Sequence, residues 1–182
     1  MKTEPVSEGG WSCRDADSGL FHRAHFLAAL EGELARLDRW ARPLALALVE
    51  MGPAPDWAAF GRSARAALRP IDLAARLSDS RAGFLFPEAD RAWTGRWLAE
   101  FLAGLRRDDR LGWLDIKTGL ALARPRAGLS AGEVMALASR SLSGSPDWAA
   151  RAWETDPVTA IIEDERRLLF EGFRALEDGR RP

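Results

Sequence analysis

Residues 69–87 of this 182-residue chain read RPIDLAARLSDSRAGFLFP, and this stretch decides the fold. Two short, mainly apolar runs, 73–77 and 83–86, lie on either side of a mainly polar segment, 78–82. Two such runs joined by a short polar segment are typical of a β-hairpin. Pro87 lacks the backbone N–H that a continuing inner strand needs, so we expect it to end the second strand. The sequence therefore predicts an antiparallel hairpin near the middle of the chain.

The sequence before this hairpin predicts a helix, a strand and a second helix. We expect the first helix to begin at Asp17 and to end before Pro43. Its apolar face repeats at helical spacing at Leu27, Leu30, Leu34 and Leu37. Residues 44–49 form an uninterrupted apolar run, which is typical of a strand covered on both faces. Asp56 is a good N-cap for the second helix, which we expect to end near Arg69. The predicted inward side chains of that helix are Trp57, Phe60, Ala64 and Leu68.

The sequence after the hairpin predicts a helix, a strand and a helix. The first of these helices spans about 88–106, and the strand spans 113–123. The predicted inward side chains of the helix are Trp97, Phe101, Leu102 and Leu105. Ser130 and Glu133 have the spacing of a capping box, which predicts a helix through Leu142. The predicted order is helix, strand, helix, hairpin, helix, strand, helix.

Both ends of the chain are expected to lie outside this core, which we place at residues 17–154. Residues 1–16 are polar and predict a flexible leader. Residues 149–154 could add a short edge strand. The segment 155–182 is predicted to form a C-terminal helix, because Asp156-Pro157 is a strong helix start. Its apolar stripe consists of Ile162, Leu169, Phe173 and Leu176. Either the domain itself or a partner must cover such a stripe.

The composition excludes several classes of function. The 26 basic and 27 acidic side chains leave a net charge of −1, so no overall field attracts the chain to nucleic acid or to an anionic membrane. Cys13 is the only cysteine, so no intramolecular disulfide can form. No apolar run reaches the length of a membrane span or of a signal-peptide core. We therefore expect a cytoplasmic protein.

His22 and His25 have no obvious further ligand and are expected to be surface residues, not metal ligands.

The hairpin resembles the central hairpin of diguanylate cyclases, the GGDEF family. The family pattern is Arg-x-x-Asp-x-x-x-Arg-Tyr-Gly-Gly-Asp/Glu-Glu-Phe, followed by an apolar strand that ends in Pro. The matching residues here are Arg69, Asp72, Arg76 and Pro87. The five signature positions have become Ser78, Asp79, Ser80, Arg81 and Ala82. The residues that flank the signature thus match the family pattern, whereas the five signature residues do not. The hairpin therefore resembles a degenerate signature.

Other segments are similar to the same family in the same order. They are 15–23, which resembles the family's opening motif, 42–46 at the entry to the first strand, 114–121 in a later strand, and 129–142 in the helix that follows it. The resemblance implies an α+β fold, the nucleotide-cyclase palm. This palm is an antiparallel sheet with a ferredoxin-like core and packed helices, to which the C-terminal helix would be an addition.

The resemblance also implies which chemistry has been lost. Diguanylate cyclases hold Mg²⁺ between two carboxylates, because hard cations prefer oxygen ligands and neutralise the charge of the triphosphate. Glu50 matches the first of these positions, and Arg81 stands at the second. Only 19 positions separate Glu50 from Arg69, which leaves no room for the family's guanine-binding segment. We therefore expect no catalytic residues, no magnesium site and no cyclase activity.

Arg69 and Asp72 match the family's Arg-x-x-Asp inhibitory site for cyclic di-GMP. An Arg offers a planar fork to a phosphate or a guanine edge, and an Asp accepts from guanine N–H groups. Arg96 is the residue best placed to stand in for the further arginine that the family often adds. The same pair could instead be structural, with Arg69 covering a helix end and Asp72 beginning a strand. Two functions stay open: a cyclic di-GMP receptor without cofactor, and a ligand-free module that binds a protein partner or a second copy.

Overall fold

The computed structural model describes residues 13–123 and 130–142. Its elements are β1 (Phe21–His22), α1 (Arg23–Trp40), β2 (Leu44–Met51), α2 (Trp57–Ala67), β3 (Leu73–Arg76), β4 (Arg81–Pro87), α3 (Arg91–Arg107), β5 (Ile116–Ala123) and α4 (Ala131–Arg140). The predicted order of elements is confirmed. The two-residue strand β1 is an addition that the sequence did not indicate.

The five strands form one sheet in the order β1-β3-β4-β2-β5. Strand β2 is antiparallel to both β4 and β5, and β3 is antiparallel to β4. The segment from β2 to β5 is thus a βαββαβ unit with the strand order of a ferredoxin-like fold, as the sequence predicted. Strand β1 pairs parallel with β3, so the complete sheet is mixed and not purely antiparallel.

Helices cover both faces of the sheet. Helices α2 and α3 pack on one face, and α1 and α4 pack on the other. Every residue from Leu44 to Val49 is buried, which confirms a strand covered on both faces. The core under α2 and α3 is rich in aromatic rings with centroids 4.6 to 6.2 Å apart, namely Phe60, Phe84, Phe86, Trp97 and Phe101. These contacts hold β4 against α2 and α3.

The first helix begins later than the sequence predicted, at Arg23 and not at Asp17. The Asp15 carboxylate accepts hydrogen bonds from the backbone N–H of Ser18 at 2.9 Å and from its hydroxyl at 2.7 Å. Gly19 has a φ of 65°, in the left-handed region that favours glycine. Side-chain bonds of this kind stabilise a turn in competition with a helix. The boundary that we predicted at residue 16 therefore falls inside this turn, which we call the N-terminal turn (residues 15–19).

Other details of the prediction need smaller corrections. Phe26 is fully buried in α1, whereas Leu27 is only half-buried. Strand β5 begins at Ile116, and Trp113 lies before it in a turn with 62% of its surface exposed. The capping box of Ser130 and Glu133 is confirmed at the start of α4.

Three predictions concern residues outside the described part of the chain. They are the leader up to residue 12, the edge strand at 149–154 and the C-terminal helix at 155–182, with Ile162, Leu169, Phe173 and Leu176. Among the described residues, no helix combines the length and the apolar character that crossing a bilayer requires.

Candidate functional site

Glu50 and Arg81, the residues that the sequence matched to the family's metal positions, form an ion pair. Arg81 on β4 lies directly opposite Glu50 on β2 in the antiparallel register. The Arg81 Nε–H donates to Glu50 Oε2 at 3.1 Å, and the Nη2–H donates to the same oxygen. About a third of each side chain is exposed, 33% for Arg81 and 29% for Glu50. The two residues that the sequence placed at the family's metal positions therefore neutralise each other.

A second cation lies on the other side of Glu50. Lys117 on β5 is opposite Glu50 in the register of β2 with β5. The three residues thus occupy one row across adjacent strands, with Glu50 on the middle strand. Opposite charges at directly facing positions stabilise a sheet by a fraction of a kcal/mol to about 1 kcal/mol per pair. The sequence did not single out Lys117; counting register from Glu50 along the predicted strands would have found it.

The tip of the signature hairpin is covered by α2. The Trp57 indole N–H donates to the backbone carbonyl of Asp79 at 3.1 Å. The Arg76 guanidinium lies 4.6 Å from the Trp57 ring centroid. The Asp56 carboxylate caps the start of α2 by accepting from the Ala59 N–H at 2.8 Å. Only residues 52–55 therefore lie between β2 and the cap of this helix. The short connection places Trp57, the first residue of α2, against the hairpin tip.

The hairpin is joined to the N-terminal turn by a network centred on Arg76. Arg76 donates to Asp15 at 3.3 Å, to Asp17 at 3.1 Å and to Asp79 at 3.3 Å. Burial raises the pKa of Asp15, but hydrogen bonds from Ser18 and Arg76 and the positive charge of Arg76 outweigh it, so this pKa lies below its usual value. Burial lowers the pKa of Arg76, and its bonds to Asp17 and Asp15 overcome that effect and raise it. This network fixes the hairpin relative to the start of the fold.

At the other end of β4, Arg69 and Asp72 bind each other. The Arg69 Nε–H lies 3.1 Å from both Asp72 oxygens, and the Nη2–H donates to Asp72 Oδ1 at 2.8 Å. Asp72 also accepts from the backbone N–H of Arg69 at 2.8 Å. The Asp72 side chain is fully buried, whereas 33% of the Arg69 side chain is exposed. The two predicted ligand residues are therefore together, with the carboxylate already engaged.

Two further contacts fix the orientation of Arg69. Its Nη2–H donates to the Pro87 carbonyl at 3.1 Å, and its guanidinium lies 4.0 Å from the ring centroid of Trp93. Trp93, not Arg96, is thus the α3 residue in contact with Arg69. Arg96 is exposed one turn further along α3 and makes no hydrogen bond or ion pair with residues 13–123 or 130–142. The signal for Trp93 was present in the sequence, since it lies four residues before the inward Trp97.

No cluster of three or more His, Cys, Asp or Glu side chains suited to a metal ion occurs in the described part of the chain. Both histidines are exposed, and the His25 ring stacks on Phe21 with centroids 4.2 Å apart.

Comparison with solved structures finds GGDEF domains. The GGDEF domain of DgcB from Caulobacter crescentus, in complex with c-di-GMP, is 18% identical with a TM-score of 0.62, and the match covers 78% of this chain and 90% of that one. The FimX GGDEF domain from Pseudomonas aeruginosa is 20% identical with a TM-score of 0.62, over 77% of this chain and 95% of that one. The diguanylate cyclase SiaD from Pseudomonas aeruginosa, in complex with its activator SiaC, is 20% identical with a TM-score of 0.63, over 71% of this chain and 56% of that one.

No protein-family model matches the sequence, and no curated protein matches it. The likeness therefore rests on the fold, which these structures share with this chain over most of the described residues. The chain has the fold of GGDEF domains, as the hairpin pattern predicted.

Proposed function

We propose that this chain is a signalling domain of the GGDEF fold that does not synthesise cyclic di-GMP. The observation that carries this proposal is the ion pair of Arg81 and Glu50, the two residues that the resemblance matches to the family's metal-binding carboxylates. A guanidinium that donates twice to a carboxylate occupies the oxygen that a metal ion would need. Lys117 adds a further positive charge in the same row, which opposes the binding of a dication.

The surroundings of the hairpin support the same proposal. A cyclase must approach the triphosphate closely with its hairpin backbone, which glycines at the signature positions permit. Ser78 and Asp79 stand at those positions, and the carbonyl of Asp79 is bonded to the Trp57 indole. Residues 52–55 are too few to form a guanine pocket before α2 begins. Metal, phosphate and base recognition are therefore each impaired by a different feature.

For the ligand, we propose cyclic di-GMP at Arg69, with Asp72 as its positioning partner and Arg96 at the rim. The DgcB domain was solved in complex with c-di-GMP, which supports this class of ligand for the fold. Because the Asp72 carboxylate is buried and bonded to Arg69, its role in this geometry is to hold the guanidinium, whose exposed edge contacts the ligand. The alternative is a ligand-free module that binds a protein, for which the complex of SiaD with SiaC is the supporting comparison.

The experiment that tests the loss of catalysis is an assay of the full chain with GTP and Mg²⁺. We expect no cyclic di-GMP above a blank without protein, while an active diguanylate cyclase in the same buffer forms product. The Arg81→Glu variant, which restores the second carboxylate, should also form none, because the guanine segment is still missing. Product from the wild-type chain would refute the proposal, and product from Arg81→Glu alone would show that Arg81 was the single defect.

A further inference from the structure

Three arginines line one cavity beside Arg69. The cavity has a volume of about 310 Å³, and its charged lining residues are Arg14, Arg65, Arg69 and Asp72. Arg14 comes from the segment before β1, Arg65 from the last turn of α2, and Arg69 from the connection to β3. The only carboxylate in this lining, Asp72, is bonded to Arg69. The lining therefore carries an excess of positive charge.

The arginines are held in place by the backbone of the N-terminal turn. The Arg14 Nη1–H donates to the Gly19 carbonyl at 2.9 Å, and the Arg65 Nη1–H donates to the carbonyl of Ser18, the preceding residue. Arg14 also lies 4.1 Å from the ring centroid of Phe21. Two guanidinium groups are thus positioned by adjacent carbonyl oxygens of one turn. Positioned cations lose less side-chain freedom when they bind an anion than mobile surface arginines do.

The acidic side chains of the N-terminal turn do not line the cavity. Asp15 and Asp17 lie in the same turn, but both are bonded to Arg76 on the hairpin side. The three guanidinium groups around this cavity repel one another, because they carry like charges. An anion with several oxygens would relieve this repulsion and accept charge-assisted hydrogen bonds from more than one arginine. Phosphate groups match the planar donors of Arg particularly well.

We propose that this cavity binds the phosphate group of a small ligand, with Arg65 and Arg14 as the recognising residues together with Arg69. The role of Arg69 in this inference rests on the proposed ligand function. Arg65 and Arg14 are additional ligand residues, and they extend the site away from Arg96. The apolar part of the lining, Leu20, Phe21 and Leu68, would contact the carbon atoms attached to the phosphate. A volume of about 310 Å³ is at the lower end of small-molecule cavities, so a phosphate with part of a nucleoside fits and a whole dinucleotide would extend outside.

The test is isothermal titration of the full chain with two probes, pyrophosphate and cyclic di-GMP, at low and at high salt. The variants are Arg65→Gln and Arg14→Gln. The matched control is Arg62→Gln, an exposed arginine one turn earlier on α2 that does not line the cavity. Thermal unfolding of each variant, and an Arg65→Lys variant that retains the charge, separate loss of binding from loss of folding.

We expect at least one probe to bind, more weakly at high salt, with affinity reduced about tenfold or more by Arg65→Gln and unchanged by Arg62→Gln. Equal affinity of Arg65→Gln and wild type, an equal loss in Arg62→Gln, or no heat with either probe at millimolar concentration would overturn the inference. Binding of cyclic di-GMP that requires Arg69 but not Arg65 or Arg14 would contradict the inference and leave the proposed function intact. Binding of pyrophosphate alone, dependent on Arg65, would support the inference and contradict cyclic di-GMP as the ligand.

Discussion

The two ends of β4 carry arginine–carboxylate pairs of opposite character. At the start of the strand, Arg81 and Glu50 share similar exposure and are flanked by Lys117 and by the covered hairpin tip. At the end of the strand, Arg69 binds the fully buried Asp72 and borders a cavity lined by two more arginines. In the first pair, the Arg81 guanidinium neutralises the Glu50 carboxylate. In the second pair, the buried Asp72 carboxylate orients the Arg69 guanidinium beside a cavity that carries further positive charge.

This difference shows that the same kind of residue pair can have two different surroundings within one sheet. At one end the arginine neutralises Glu50, and at the other end it lies beside further arginines, which is the basis of the two proposals above. Helix α2 spans the two regions, since Trp57 at its start contacts the hairpin tip and Arg65 in its last turn lines the cavity. Changes at either end can therefore be compared in one molecule.

The largest expected effect on this comparison comes from removing the two carboxylates in turn. Asp72→Ala leaves the Arg69 guanidinium without its buried partner and should lower the free energy of unfolding by about 3 kcal/mol. Glu50→Ala breaks a pair that is about one-third exposed and should cost about 1 kcal/mol or less. Urea denaturation of both variants measures the difference. Equal losses would show that the pairs are equivalent and that Asp72 has no special anchoring role.

The second effect concerns ligand affinity. Arg69→Ala should weaken cyclic di-GMP binding by roughly ten- to a hundredfold, the loss of about 1.5 to 3 kcal/mol expected for a charge-assisted contact. Arg96→Ala, which lacks a contact with the Arg69–Asp72 pair, should weaken it less. Isothermal titration provides both values. If Arg69→Ala binds as well as wild type, the site is wrongly assigned; if wild type gives no heat, the protein-binding alternative remains.

The third effect tests whether the N-terminal turn supports the cavity. A Cβ at Gly61 would overlap the carbonyl oxygen of Ser18, which is the acceptor for Arg65. Gly61→Ala should therefore cost about 1 to 3 kcal/mol of stability and displace the turn, as overpacking does. Gly95→Ala is the matched control, because a Cβ there meets no atom within 4 Å and replaces a glycine inside α3. This control should be neutral or stabilising by up to about 1 kcal/mol. The reverse order, measured by urea denaturation, would contradict a tightly docked turn.

Local patterns accounted for most of the fold, and contacts between distant residues accounted for what was missed. The hairpin, the buried strand β2 and the capping box of Ser130 each depend on neighbouring residues and were predicted correctly. Strand β1 has two residues, too few for any periodicity, and the start of α1 was misplaced because the Asp15 side chain stabilises a turn there.

In the candidate site, too, residues close in sequence were identified and contacts between distant residues were missed. The residues of the Arg69–Asp72 pair lie three apart and were identified together, whereas Trp93 meets Arg69 only once α3 has packed. Arg81 and Glu50 were both identified by resemblance, but their mutual hydrogen bonds depend on strand register. Nothing in the sequence brought Arg14 and Arg65 to the same cavity, because adjacent carbonyls of a turn position them.

The smallest effect is the dependence of stability on pH through Asp15, which connects the N-terminal turn to the hairpin end. The folded-state pKa of Asp15 lies below its usual value, so the unfolded chain binds this proton more readily than the folded one. Its stabilising contribution is therefore fully present above the unfolded pKa, about 3.9, and is lost as pH falls through the folded pKa. Urea unfolding between pH 6 and pH 3 should show a shallower loss for Asp15→Asn than for wild type. Asp38→Asn removes an exposed carboxylate of α1 that makes no hydrogen bond or ion pair in the described ranges, and should match wild type. Identical profiles for Asp15→Asn and wild type would show that the bonds of Asp15 to Ser18 and Arg76 do not link the turn to the hairpin in solution.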